Sequence, residues 1–253
     1  MNKLNRMAAA VALSCTALLG SSASAAPVKN VVLVHGFFAD GSGWRGVADI
    51  LTRDGYDVTV VQQPETSLAD DVQAATQAVD ALEGRSILVG HSYGGMVITQ
   101  AGNHPKVAGL VYVAAFQPDA GESLKDLADK TPPASKGIKG TADGHLVFDQ
   151  ALFHADFAAD LPAADAAFMA RSQVLPAVQA AGAPVSRAAW KTKPSWAIVS
   201  RADRTVNPDL QRSMAKRAGS HVVEIDGSHV AFIAQPERVA RVIEQAAAAA
   251  DNR

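Results

Sequence analysis

Residues 89–97 read Val-Gly-His-Ser-Tyr-Gly-Gly-Met-Val (VGHSYGGMV). An apolar run, SILVG, leads into this stretch, and a helix-like run, MVITQAG, leads out of it. Ser92 lies between Gly90 and Gly94 in a G-x-S-x-G spacing. A serine on a sharp strand-to-helix turn has its hydroxyl lifted above the sheet edge. Side chains two residues before or after it would collide with the adjoining strand and helix, so both positions demand glycine. A helix starting at once turns its N-terminal amides and the positive end of its dipole toward any anion formed beside the serine. Two nucleotide-binding signatures are missing from this loop. A P-loop ends in Gly-Lys-Ser/Thr, and a dinucleotide fingerprint needs G-x-G-x-x-G after the first strand.

Working outward, apolar strands alternate with helices. Strands are predicted at 28–34, 57–62, 86–90, 107–115, 194–200 and 221–225. Helices are predicted at 44–54, 67–82 (with Thr66 or Ser67 as N-cap and Gly84 beyond the end), 93–102 and 235–250. Asn207 and Pro208 supply the N-cap and first residue of another helix. Strands that are apolar at nearly every position, separated by helices, predict an α/β fold whose parallel, doubly wound sheet is buried on both faces. The rhythm breaks from about 117 to 192, a stretch rich in Ala, Asp and Pro. That segment is predicted to be a helical cap inserted between two strands, over the carboxyl edge where open α/β sheets bind ligands. Phe153, Phe157 and Leu161 recur every fourth residue within it. They serve either as an apolar pocket lining or as packing of the cap on the core.

The chain of 253 residues is 48% hydrophobic and 19% charged, which is globular composition. A net charge of −2 announces no basic face for nucleic acid or anionic lipid. Residues 1–25 follow the secretory pattern: a cationic start with Lys3 and Arg6, an apolar run, then Ala23-Ser24-Ala25 as an A-x-A cleavage site. The apolar run is too short to span a bilayer. Export to the periplasm or the medium is expected, leaving residues 26–253 as a single domain. Cleavage removes two cations and no acid, taking the net charge to −4. It also removes Cys15, the only cysteine, so the mature chain has neither disulfide nor thiol nucleophile.

A serine hydroxyl needs a base. Of seven histidines, His229 (in DGSHVAF) sits just past the last predicted strand, where loops at strand carboxyl ends converge above the sheet. His91 belongs to the turn itself and points away if Ser92 points out. The base needs an acid to fix its tautomer. Asp203, in SRADRTVNP after the strand at 194–200, is preferred; Asp119, after the strand at 107–115, is the alternative. Asp226 is too near His229 in sequence to be favoured, and Arg201 and Arg204 read as solvated loop charges. The order Ser92, Asp203, His229 is that of the serine-elbow hydrolases. Two amides are candidate donors to a developing oxyanion: Tyr93, after the serine, and Phe37, in the His35-Gly36-Phe37 loop after the first strand. Trp44 reads as core.

With VVLVHGFFADGSGW, LVGHSYGGMV, SRADRTVNP and DGSHVAF in that order, the chain resembles the α/β-hydrolase superfamily over most of its length. In detail it is similar to small serine esterases grouped with plant methylesterases and hydroxynitrile lyases. The resemblance implies a Ser92–His229–Asp203 triad, a covalent acyl-enzyme, a small-molecule ester as substrate, and no cofactor or metal. Hydroxynitrile lyases of that group carry a lysine directly after the catalytic histidine. Here that residue is Val230, which favours ester hydrolysis over cyanohydrin cleavage. The alternatives are a lactone, amide or C–C bond as substrate, or a non-catalytic binder using the capped pocket.

Overall fold

A computed structural model describes residues 27–251. The leader expected at residues 1–25, with Cys15, lies outside the described residues. Six strands form one sheet in the order β2-β1-β3-β4-β7-β8, every neighbouring pair parallel. They are β1 (Asn30–Val34), β2 (Asp57–Val61), β3 (Ser86–His91), β4 (Val107–Val113), β7 (Ser195–Ser200) and β8 (His221–Ile225). Every residue of β1, β3, β4 and β7 is buried, as strands covered on both faces must be. The edge strands β2 and β8 are only partly covered.

The crossovers carry the helices. Those between β1 and β4 are α1 (Arg45–Arg53), α2 (Leu68–Asp80) and α3 (Gly94–Ala101). Ser67 caps α2, its Oγ accepting from Asp70 N at 3.1 Å. After β7 come α8 (Pro208–Ala218), the four-residue α9 (Ala231–Ala234) and α10 (Pro236–Asp251). Asn207 caps α8 through Asp209 N at 2.9 Å, and Gly219 ends it in the left-handed region at φ 66°. α10 packs on α1 and lies along β3, β4 and β7, while α2 packs on α3.

Between β4 and β7 lie α4 (Leu124–Lys130), a hairpin of β5 (Ile138–Gly140) and β6 (Leu146–Phe148), then α5 (Gln150–Asp156), α6 (Ala163–Arg171) and α7 (Val178–Gly182). The insertion therefore holds a small antiparallel hairpin besides the expected helices. α5 stops at Asp156, so Leu161 lies beyond the helix that Phe153 belongs to. Phe148, Phe153 and Phe157 pack together, and Phe38 meets Phe148 and Phe157 edge-on, which seats the insertion on the β1 loop. Both roles considered for the aromatic stripe are met by Phe157, since it also lines the cavity described below.

Candidate active site

The turn after β3 has the strain its sequence demands. Ser92 adopts φ 53°, a left-handed conformation unusual for a residue with a side chain. A Cβ on Gly90 would stand 2.5 Å from Gly94 O, and one on Gly94 would stand 2.6 Å from His35 O. Gly95, which the G-x-S-x-G pattern does not require, is tighter still: its Cβ would lie 2.0 Å from Phe116 O. Gly95→Ala should therefore destabilise the fold by about 2–3 kcal/mol, since two main chains must separate. Urea unfolding measures this, and an unchanged midpoint would contradict it.

The turn brings Ser92 to His229. With the proton of the imidazole on Nδ1, His229 Nε2 accepts from Ser92 Oγ at 2.9 Å, and Nδ1 donates to Asp203 Oδ2 at 2.8 Å. All three residues are buried. The carboxylate of Asp203 is fixed on every side. Oδ1 accepts from Thr205 N at 2.8 Å and Val206 N at 2.9 Å, and Oδ2 accepts from Gln211 Nε2 at 2.8 Å as well as from His229. Gln211 is itself held, accepting from Ser200 N at 3.2 Å. Sequence reasoning did not single out Gln211; its one signal is its place a turn into α8, four residues after the Asn207 cap. Asp119 is not brought to this cluster. It binds Lys191 Nζ at 2.5 Å, which holds its carboxyl below the usual range. Asp226 pairs with Arg201 at 2.7 Å. Arg204 departs from its reading as a solvated loop charge, because its Nε donates to the buried Asp156 at 2.6 Å.

His91, directly before Ser92, is held against His229. Its Nε2 donates to the main-chain carbonyl of His229 at 2.9 Å, and its ring packs on His229 and Phe232. Complete burial and the neighbouring imidazole hold its pKa well below the ordinary value, so it stays neutral. The predicted oxyanion loop is adjacent. A Cβ on Gly36 would lie 2.6 Å from Ser92 Cβ, and the rings of Phe37 and Tyr93 stack at 3.8 Å. Residues 36–37 and 92–93 thus run side by side.

Beneath this loop lies a buried polar cluster. Tyr93 Oη donates to Asp71 Oδ2 at 2.6 Å, Glu65 N donates to Asp71 Oδ1 at 2.7 Å, and Gln63 Nε2 donates to His35 O at 2.6 Å. Glu65 approaches His35 Nδ1 at 3.4 Å. Burial pushes the Glu65 carboxyl up to about 10, with Asp71 adding repulsion, and burial lowers the His35 pKa, so both shifts favour the neutral forms. A carboxyl whose pKa is raised on folding makes the native state bind more protons than the unfolded chain, so stability falls as pH rises above the unfolded carboxyl value. Glu65→Gln removes that dependence. Its melting temperature relative to the parent should climb from pH 5 to pH 9, and parallel curves for the two proteins would contradict this.

Ser92 opens onto a cavity of about 260 Å³. Phe37, Phe38, Phe116, Leu146, Phe157 and Val206 give it an apolar wall. Among the described residues its lining carries one cation, Lys125, which is paired with Asp129 at 2.5 Å. A larger hollow of about 580 Å³ lies on the other side of Phe38, between Arg45, Met169 and Val230, and Ser92 does not line it. Of these two, the smaller cavity is the one that Ser92 lines. Among the described residues no cluster of three or more His, Cys, Asp or Glu side chains is placed to hold a metal, and no helix is long and apolar enough to cross a membrane.

Comparison with known proteins agrees with this architecture. The profile of the Alpha/beta hydrolase family matches residues 31–242. The chain belongs to that family. Its fold is that of the α/β hydrolases, as its sequence resemblance implied. It is 40% identical over 120 residues to a carbendazim-hydrolyzing esterase of Nocardioides sp. (strain SG-4G), a match covering 42% of this chain and 50% of that protein. The chain thus matches about half the length of that relative. The crystal structure of a pyrethroid hydrolase from Sphingobium faniae JZ-2 superposes with a TM-score of 0.74 at 25% identity, covering 88% of this chain and 98% of the other. A methylesterase from Arabidopsis shares the fold with a TM-score of 0.74 at 18% identity, over 87% of this chain and 99% of that one.

Proposed function

We propose that this hydrolase cleaves uncharged carboxylic esters of small to medium size through an acyl-enzyme on Ser92. The observation that carries the reading is the unbroken relay from Ser92 Oγ through His229 to Asp203, at 2.9 and 2.8 Å. In the first half-reaction Ser92 Oγ attacks the ester carbonyl carbon, and its proton passes to His229 Nε2. The carbonyl oxygen becomes an oxyanion that the main-chain N–H groups of Phe37 and Tyr93 receive. Asp203 stabilises the imidazolium and fixes its orientation. The intermediate collapses, the C–O bond to the alcohol breaks, and His229 returns the proton to the leaving alkoxide. In the second half-reaction a water gives a proton to His229 and attacks the acyl carbon. The acid departs and Ser92 recovers its proton. No step calls on a cofactor.

The cavity supports the proposed substrate size and charge. An apolar space of about 260 Å³ whose lysine is already paired favours a neutral acyl or alcohol group of modest length. Two relatives named for the hydrolysis of carbendazim and of pyrethroids support the class of reaction. The full chain should hydrolyse p-nitrophenyl acetate and butyrate, with kcat/KM falling steeply by palmitate. Equal rates across the series would overturn the size assignment, and failure on every ester would overturn the esterase reading. We also propose that residues 1–25 direct export. An N-terminus at Ala26 in the exported protein would support this, and an intact leader on a cytoplasmic protein would overturn it.

A further inference from the structure

Residues 156–160 run from the end of α5 into the turn that follows, and they touch both loops that carry the base and the acid. Asp156 is buried. Its Oδ1 accepts from Arg204 Nε at 2.6 Å, its Oδ2 accepts from Ser135 Oγ at 2.7 Å, and its main-chain carbonyl accepts from Thr205 Oγ1 at 3.0 Å. Arg204 and Thr205 directly follow Asp203, and the N–H of Thr205 is one of the donors that fix Asp203 Oδ1. Phe157 meets the His229 ring edge-on at 4.9 Å. Asp160 then reaches the other loop. Its Oδ2 accepts from Ser228 N at 2.9 Å, and its Oδ1 accepts from Ser228 Oγ. Ser228 directly precedes His229. A Cβ on Gly227 would lie 2.9 Å from Asp160 Oδ2, so a glycine there lets the carboxylate close on the loop.

We propose that this five-residue strap of the insertion positions the triad, with Asp160 setting His229 through Ser228 and Asp156 setting Asp203 through Arg204 and Thr205. The inference rests on the Ser92–His229–Asp203 reading. Neither aspartate touches the reacting atoms; each acts on a main chain next to a residue that does. The strap belongs to the inserted segment and not to the sheet. The base and acid therefore take their working geometry from how the insertion is seated, and the Phe157 ring puts that same strap on the wall of the substrate cavity.

The test uses the full chain with Asp160→Ala and Asp160→Asn, read by steady-state kinetics on p-nitrophenyl butyrate and by the rate at which a fluorophosphonate labels Ser92. Asp160→Ala leaves the Ser228 N–H without its acceptor and frees the loop to shift. Since displacements near 1 Å cost up to about 10²-fold, kcat should fall by about tenfold or more, with KM within about twofold. Labelling should slow in proportion. Asp160→Asn keeps an oxygen for the Ser228 N–H and should recover most of the loss. A merely structural contact would lower the melting temperature and leave kcat of the folded enzyme unchanged. An electrostatic role would make Asn as poor as Ala. Either result overturns the strap. A parent enzyme that does not label at all overturns the triad reading itself, whereas a parent and Asp160→Ala that label equally fast overturn the strap alone.

Discussion

Ser92→Ala should lower kcat for p-nitrophenyl esters by about 10⁴-fold or more while the protein stays folded. The size follows from the role proposed for the residue. Without Oγ there is no acyl-enzyme, and His229 and the oxyanion amides are left to act on water alone. The fold should survive because alanine tolerates the φ 53° backbone as well as serine does, and the turn is held by main-chain bonds: Ser92 N donates to Val113 O at 3.2 Å, and Ser92 O accepts from Gly95 N at 3.0 Å and Phe116 N at 3.1 Å. Circular dichroism and the melting temperature check the second half of the prediction. A variant that is folded and fully active would remove Ser92 from the mechanism.

The second large effect separates two acids that the sequence left in competition. Asp203→Asn should cost about 10³- to 10⁴-fold in kcat, because the amide keeps the shape but favours the wrong imidazole tautomer and cannot stabilise the imidazolium. Asp119→Asn should leave kcat within about twofold, since a partly exposed loop charge paired with Lys191 is worth little. If the losses were reversed, the acid would have to be reassigned.

The contrast shows how far the residues themselves could carry the reading. The sheet was legible because strands covered on both faces must be apolar at every position, and VKNVVLV, SILVG and VAGLVYVAA are nearly so. That Ser92, Asp203 and His229 meet was legible because a parallel sheet gathers its carboxyl-end loops, and the structure brings these three side chains within hydrogen-bond distance. The insertion was not legible to the same degree. β5 and β6 have three residues each, and β5 is exposed throughout, so no alternation marks them. Leu161 continues a four-residue spacing after the helix has ended, because α5 breaks at the strap and the spacing is accidental there. Arg204 looked like a solvated charge since its partner, Asp156, is 48 residues away in the insertion. Its place beside Ser92 in the turn predicts that His91 points elsewhere. That it grips the carbonyl of His229, 138 residues on, depends on the fold.

In the mechanism proposed, Ser92 is an activated nucleophile held by His229 and Asp203. Reaction of the full chain with a fluorophosphonate tests it most directly, because only an activated serine is phosphonylated rapidly. The account predicts a single adduct, located by peptide mass spectrometry on the segment containing Ser92, and none in Ser92→Ala. A parent protein that remains unmodified, or an adduct formed equally in the variant, would contradict it.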